Sequence, residues 1–222
     1  MLVNKSIITT DFKPLSGSST VTEAKNRMEM TEANSLPVVD TETLKLIGQV
    51  SYGQIRDADE NKTIAELDLE EPVRVFRGQH IFEIARVMFQ YEIRSIPVVD
   101  DEDIFLGMIT KQLVLESLSK MLNLAEFGSV ITVALDPIDF TISEIVQIIE
   151  REGAKILGVT VEFPAGQKQI FEVSFKLNLR DVTRVKSALS RYGYSVLAES
   201  ESTVHGEELE HRADELLKYI DM

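Results

Sequence analysis

The sequence predicts one α/β unit used twice, followed by an α+β unit of strand, helix, strand, strand, helix, strand order. Three observations predict it. Two hexamers, SLPVVD at 35–40 and SIPVVD at 95–100, are near copies of each other. An amphipathic helix precedes each, and a Gly-x-apolar-hydroxyl tetrapeptide follows each, GQVS at 48–51 and GMIT at 107–110. From residue 130 onward the copying stops and a different alternation of strand and helix patterns begins.

In the first copy, Val21, Ala24 and Met28 lie at helical spacing before the apolar strand Leu36 to Val39, and LIGQVSYGQIRD supplies a second strand and a helix start. In the second, Ile81, Ile84, Ala85 and Met88 make the matching face before SIPVVD and FLGMITKQLVLES. Pro37 and Pro97 are sixty residues apart, whereas Gly48 and Gly107 are fifty-nine apart. One residue therefore differs in the turn between the strands, TETLK against DEDIF, where a change of length costs least. Between the copies, DADENKTIAELDLEEP is acidic and reads as a surface connection with at most a short helix. MLNLAEFGS then reads as a helix tail and a joint.

In the last part, VITVAL is a short β-branched strand, and ISEIVQIIEREG is a helix with Ile142, Ile145, Ile148 and Ile149 on one face, stopped at Gly153. AKILGVTVEF and KQIFEVSFKL alternate as strands around a PAGQ turn, with Phe171, Val173, Phe175 and Leu177 sharing a face. NLRDVTRVKSALSRYG forms a helix with Asn178 as its predicted N-cap, and YSVLAES closes the sheet. GEELEHRADELLKYIDM is an acidic amphipathic helix. The predicted division is a first repeat at 1–62, a second at 63–122, the βαββαβ unit at 129–200 and the C-terminal helix at 204–222.

Composition narrows the function. The chain has 222 residues, 44% hydrophobic and 27% charged, the balance of a soluble globular protein. There is no apolar run long enough to cross a bilayer and no signal segment, so no membrane partner is expected and the cytoplasm is the expected location. The absence of cysteine excludes disulfides, thiolate metal sites and a cysteine nucleophile. A net charge of −14 repels phosphate backbones, which argues against nucleic acid as a partner.

The tandem SLPVVD…GQVS and SIPVVD…GMIT units resemble two CBS domains, a pair called a Bateman module, over roughly residues 1 to 120. The resemblance implies paired sheets enclosing two clefts, homodimers, and ligands such as AMP, ADP, ATP or S-adenosylmethionine. Residues 130 to 200, with IIEREGAKILGV and LSRYGYSVLA, are similar to an ACT domain, a ferredoxin-like βαββαβ regulatory unit. The order CBS, CBS, ACT resembles proteins of the acetoin-utilisation AcuB type.

Site expectations follow residue by residue. Pro37 and Pro97 read as openers of buried strands, where no ladder donor is lost; in the resembling family, Leu36 and Val38, or Ile96 and Val98, wall the cleft for an adenine. Ser51 and Thr110 read first as helix N-caps, Ser51 completing a capping box with Gln54. The same helix starts also suit a phosphate or ribose oxygen. In nucleotide-binding members an aspartate stands three residues after the hydroxyl; here those positions are Gln54 and Leu113, and each lost hydrogen bond is worth roughly 0.5–1.5 kcal/mol. Of the two clefts, the one with Ser51 and Gln54 is the expected binder. Lys111, Arg94 and Arg56 are the candidate phosphate contacts. In the ACT-like part, DPIDF replaces the family's glycine turn, and Pro137 has no amide to offer. A dimerising or relaying role is therefore expected there rather than amino-acid binding, with Asp139 left as a group that could meet an amine.

A catalytic reading needs a complete constellation, and none is present. In HGEELEH, His205 and His211 lie six apart, about 240° round a helix, so they diverge. His80 reads as a surface residue at a helix start. The sequence thus predicts a non-enzymatic, metal-free regulatory protein, a homodimer that senses a small-molecule effector and acts on a protein partner. The rival is an assembly scaffold with empty clefts.

Overall fold

The computed structural model describes residues 1–136, 141–163 and 170–200. It contains two compact units, divided between Ser119 and Lys120.

The first unit holds both copies. The first copy runs β1 (Leu15–Ser16), α1 (Val21–Thr31), β2 (Ser35–Val39), β3 (Leu46–Ser51) and α2 (Tyr52–Arg56); the second runs β4 (Val75–Phe76), α3 (Ile81–Gln90), β5 (Ser95–Val99), β6 (Phe105–Thr110) and α4 (Lys111–Met121). Each makes a three-stranded sheet, β1-β2-β3 and β4-β5-β6, with its middle strand parallel to the first and antiparallel to the third. The registers match: Ser35 faces Ser51 as Ser95 faces Thr110, and Leu15 faces Val38 as Val75 faces Val98.

The local reasons are duplicated as well. Thr20 Oγ1 accepts the Glu23 N–H at 3.2 Å to cap α1, and His80 Nδ1 accepts the Phe82 N–H at 3.3 Å to cap α3. The helical faces read from the sequence are buried, Val21, Ala24 and Met28 on α1 and Ile81, Ile84 and Met88 on α3, while Ala85 of the predicted α3 face is only half-buried. The length difference falls in the turns, residues 40–45 against 100–104, each passing through a left-handed residue, Leu44 (φ 58) and Asp103 (φ 62).

Two expectations change. Pro37 and Pro97 sit third in five-residue strands, opposite Gln49 and Met108, rather than opening them. The short strands β1 and β4 reach only the last two residues of their neighbours, so no partner on that flank lacks a donor at the proline. The connector is also more than a surface link. Its 3₁₀ turn Ile64–Glu66 buries Ile64 completely, and Glu70 then pairs with Gln49 of β3 through two backbone hydrogen bonds of 3.0 Å. The chain start does the same to the other copy: Thr9 pairs with Met108 of β6 at 2.9 and 3.0 Å. Each copy's leading segment thus crosses onto the other copy's sheet.

That crossing explains the glycines of the tetrapeptides. A Cβ at Gly48 would lie 2.7 Å from the Leu69 side chain, and one at Gly107 would lie 2.5 Å from the Thr9 carbonyl oxygen. Only glycine leaves room for the crossing strand.

The second unit runs β7 (Ser129–Leu135), α5 (Ile142–Arg151), β8 (Ile156–Glu162), β9 (Phe171–Leu177), α6 (Thr183–Arg191) and β10 (Ser195–Ser200). Its antiparallel sheet has the order β10-β7-β9-β8, the ferredoxin-like βαββαβ arrangement that the sequence predicts. Ile131, Val133, Val173, Phe175 and Leu177 pack against Ile145, Ile148, Ile149, Val185 and Leu189. Asn178 is not the cap of α6. Its Oδ1 accepts the Lys155 N–H at 2.7 Å, and Asp181 Oδ1, beside the true helix start, accepts the Thr183 N–H at 2.8 Å. Pro137, Asp139, the PAGQ turn and the C-terminal helix with His205 and His211 lie outside the described residues.

Candidate ligand-binding clefts

The residues singled out at 36–54 and 94–111 gather at the ends of β2 and β3 and of β5 and β6, where the strand pairs Ser35–Ser51 and Ser95–Thr110 close each sheet. In both copies a backbone bond ties the helix start to the residue before the middle strand: Tyr52 N–H to Asn34 O at 2.8 Å, and Lys111 N–H to Arg94 O at 2.9 Å. Leu36, Val38, Ile96 and Val98 are at most 1% exposed. Leu36 and Val38 pack among Val21, Ala24, Met28 and Ile55, and all four buried side chains offer a ligand no surface, so a molecule lying there would meet backbone. Pro37 and Pro97 are buried too.

The first site is filled by its own chain. Gln54 Oε1 accepts the Ser51 N–H at 2.9 Å, within the capping box the sequence predicts. Gln54 Nε2 donates to the Asp68 carbonyl at 2.6 Å, and Ser51 Oγ donates to Glu70 Oε1 at 2.7 Å. Glu70 Oε2 also takes a 3.4 Å bond from Gln49 Nε2. The two side chains expected to hold a ligand are therefore engaged by the crossing segment, and a carboxylate stands where a ligand's negative group would meet Ser51. A phosphate placed there would face Glu70 at close range, a repulsive contact. Arg56, the other candidate cation, turns to Asp57 at 2.9 Å on the surface.

The second site differs in charge. Thr110 Oγ1 accepts the Leu113 N–H at 3.2 Å and caps α4. The crossing segment here carries Thr9 in the place of Glu70, so no carboxylate is delivered to the hydroxyl. Lys111 is exposed and has no ion-pair partner among the described residues. Arg94 reaches Glu32 Oε2 at 3.0 Å, but both side chains are more than half exposed, so this pair holds the guanidinium weakly. Leu113, apolar, supplies nothing to a ribose. The asymmetry between Glu70 and Thr9 has a signal in the sequence: Gln49 matches Met108 between the copies, and the connector matches the chain start as the segment leading into each, which sets Glu70 against Thr9.

The match to a family model agrees with the duplicated unit. The family model described as the CBS domain matches residues 5–61 and 64–120, together just over half of the chain. An inosine-5'-monophosphate dehydrogenase of Methanocaldococcus jannaschii is 30% identical over 105 residues, 47% of this chain and 21% of that protein. The chain thus spans about a fifth of the length of the curated relatives it matches first. A solved CBS domain pair/ACT domain protein of Thermotoga maritima is 27% identical, with 55% of this chain and 99% of that one covered at a TM-score of 0.48. The cytosolic domain of the Mg2+ channel MgtE, solved in complex with ATP, is 26% identical, with 52% and 48% covered at a TM-score of 0.45.

Proposed function

The chain belongs to the CBS-domain family, and on that premise we propose that it is a non-enzymatic regulatory protein that senses an adenine-nucleotide-type ligand in the second cleft. The observation that carries this reading is the backbone bond from Lys111 N–H to Arg94 O, which sets the two basic residues side by side at the capped start of α4, with no carboxylate brought in by the crossing segment. Two cations and a helix N-terminus suit a phosphate chain. Weak ribose contact at Leu113 makes the phosphates the main source of affinity, so ATP is expected to bind more tightly than AMP. The ligand acts by favouring one arrangement of the two copies over another; a difference of about 1–3 kcal/mol changes a partner's affinity noticeably. The ACT-like unit relays this, the protein works as a homodimer, and the layout follows the AcuB type.

A second reading has its own observation. The hydrogen bonds from Ser51 and Gln54 to Glu70 and Asp68 suit a scaffold in which the first cleft is closed for assembly. A thermal-shift series with ATP, ADP, AMP, S-adenosylmethionine and amino acids separates the two. Saturation at a hundred times Kd stabilises by about 2.7 kcal/mol. Flat curves across the series would leave the scaffold standing and the sensor refuted for these ligands.

A further inference from the structure

We propose a second, separate anion site in the first unit, built from Lys5, Arg77 and Thr10 over a floor of Ile8 and Leu106, that takes a small phosphate monoester with an apolar or aromatic body. These five residues line a cavity of about 240 Å³. It meets a second cavity of about 270 Å³ at the shared residues Thr10 and Leu106, and that one is walled by Phe12, Phe105, Val39 and Leu44, with Lys13 at its rim.

Charge identifies the head of the ligand. The chain carries a net −14, yet among the described residues no carboxylate lines either cavity, while three cations do. None of Lys5, Lys13 and Arg77 has a carboxylate within 4 Å among the described residues. Converging cations in an acidic protein create a local positive potential that draws in an anion, and the absence of internal partners leaves their donors free for it.

The backbone holds these groups in place before any ligand arrives. Val3 N–H donates to Gln79 O at 2.9 Å and Gly78 N–H to Val3 O at 3.0 Å, on one side of the 3₁₀ turn Lys5–Ile7. Thr9 is bound to Met108 on the other side, and Arg77 N–H donates to Val99 O at 2.9 Å. Lys5, Thr10 and Arg77 are thus carried on backbone fixed at both ends, which lowers the ordering cost of binding. The apolar half, with its two phenylalanines, sets the body of the ligand, since Phe12 and Phe105 are only half-buried and gain from being covered.

The location separates this site from the proposed nucleotide cleft. Leu106 and Thr110 lie four residues apart on β6, about 13 Å along the strand.

Titration of the full chain with phenyl phosphate, followed by calorimetry and by the amide resonances of Thr10 and Leu106, tests the proposal. Phenyl phosphate is expected to bind with shifts at both amides, at least tenfold more tightly than inorganic phosphate, and phenol is expected not to bind. Arg77→Gln with Lys5→Gln should weaken phenyl phosphate at least tenfold, Arg77→Lys with native Lys5 should retain most of it, and Lys111→Gln should leave it unchanged. An unaltered melting transition in each variant shows that it is folded. No binding by millimolar phenyl phosphate, or equal binding by the Lys5/Arg77 double variant in its folded state, would overturn the site. Loss of binding in Lys111→Gln alone would assign the ligand to the nucleotide cleft and equally overturn it.

Discussion

The two clefts of the first unit share strand register, helix caps and a crossing segment, yet one is closed by its own chain and the other presents cations. The difference rests on one position of the crossing segment. Glu70 arrives at Ser51 as a hydrogen-bonded carboxylate, whereas Thr9 arrives beside the β6 end with no charge. A duplicated backbone therefore does not imply duplicated chemistry. The sheet geometry delivers a side chain to the same place twice, and its identity decides whether an anion is repelled or admitted.

The largest expected effect tests the crossing itself. Gly107→Ala sets a Cβ against the Thr9 carbonyl at a residue with φ +139°, so both overlap and backbone strain oppose it; a loss on the order of 3 kcal/mol in urea unfolding is expected. Gly48→Ala sets a Cβ 2.7 Å from the Leu69 Cβ, which is fixed to the backbone and moves only with the crossing strand, but it carries no left-handed strain, so a smaller loss of about 2 kcal/mol is expected. Equal losses at the two glycines would show that overlap with the crossing strand, and not the positive φ of Gly107, sets the cost.

Next in size, Lys111→Gln together with Arg94→Gln should weaken ATP about tenfold or more in calorimetry, the loss of roughly 1.4 kcal/mol or more of charge-assisted bonding. Ser51→Ala with Gln54→Ala should leave ATP affinity within a factor of about two, because those groups are turned to Glu70 and Asp68. The reverse pattern would move the ligand to the first cleft. Glu70→Gln keeps a bond to Ser51 but removes the charge, so stability should fall by less than about 1 kcal/mol while a second, weaker ATP site emerges. A stoichiometry that stays at one per chain would show that Glu70 is not what closes the first cleft.

The smallest effect compares the two strand turns. In the first, the Thr43 backbone N–H, followed by the Thr43 hydroxyl, holds the Asp40 carboxyl below its ordinary value of 3.8. A lowered folded-state pKa adds stability at pH above the ordinary value, and that stability is lost as pH falls through the lowered one. Thr43→Val removes the hydroxyl's share, so the Asp40 carboxyl carbon should titrate nearer 3.8 by NMR. In the second turn Asp100 Oδ1 accepts the backbone N–H groups of Glu102 and Ile104, with no threonine hydroxyl among the contacts.

Much of this architecture was legible in residue order because it rests on local rules. Helical spacing put Val21, Ala24 and Met28 on one face, alternation put Val173, Phe175 and Leu177 on another, and both faces are buried. The capping box of Ser51 and Gln54 was legible for the same reason, being complete within four residues. Asn178 has the side chain of a good cap but spends it on the Lys155 amide just after β9, a contact between residues 23 apart that local pattern does not carry.

What residue order determined by itself is the duplicated unit, the βαββαβ succession, the absence of thiol chemistry and the acidic balance, all of which follow from short-range pattern and count. Tertiary structure alone decided that the connector crosses onto β3, that the tetrapeptide glycines make room for a strand, and that Glu70 reaches Ser51 while Thr9 takes the matching place on the other copy. Those outcomes depend on contacts such as Glu70 with Ser51, nineteen residues apart, and Thr9 with Met108, on opposite copies. Period and propensity act over a few residues and carry no information about which distant strand a polar segment will pair with.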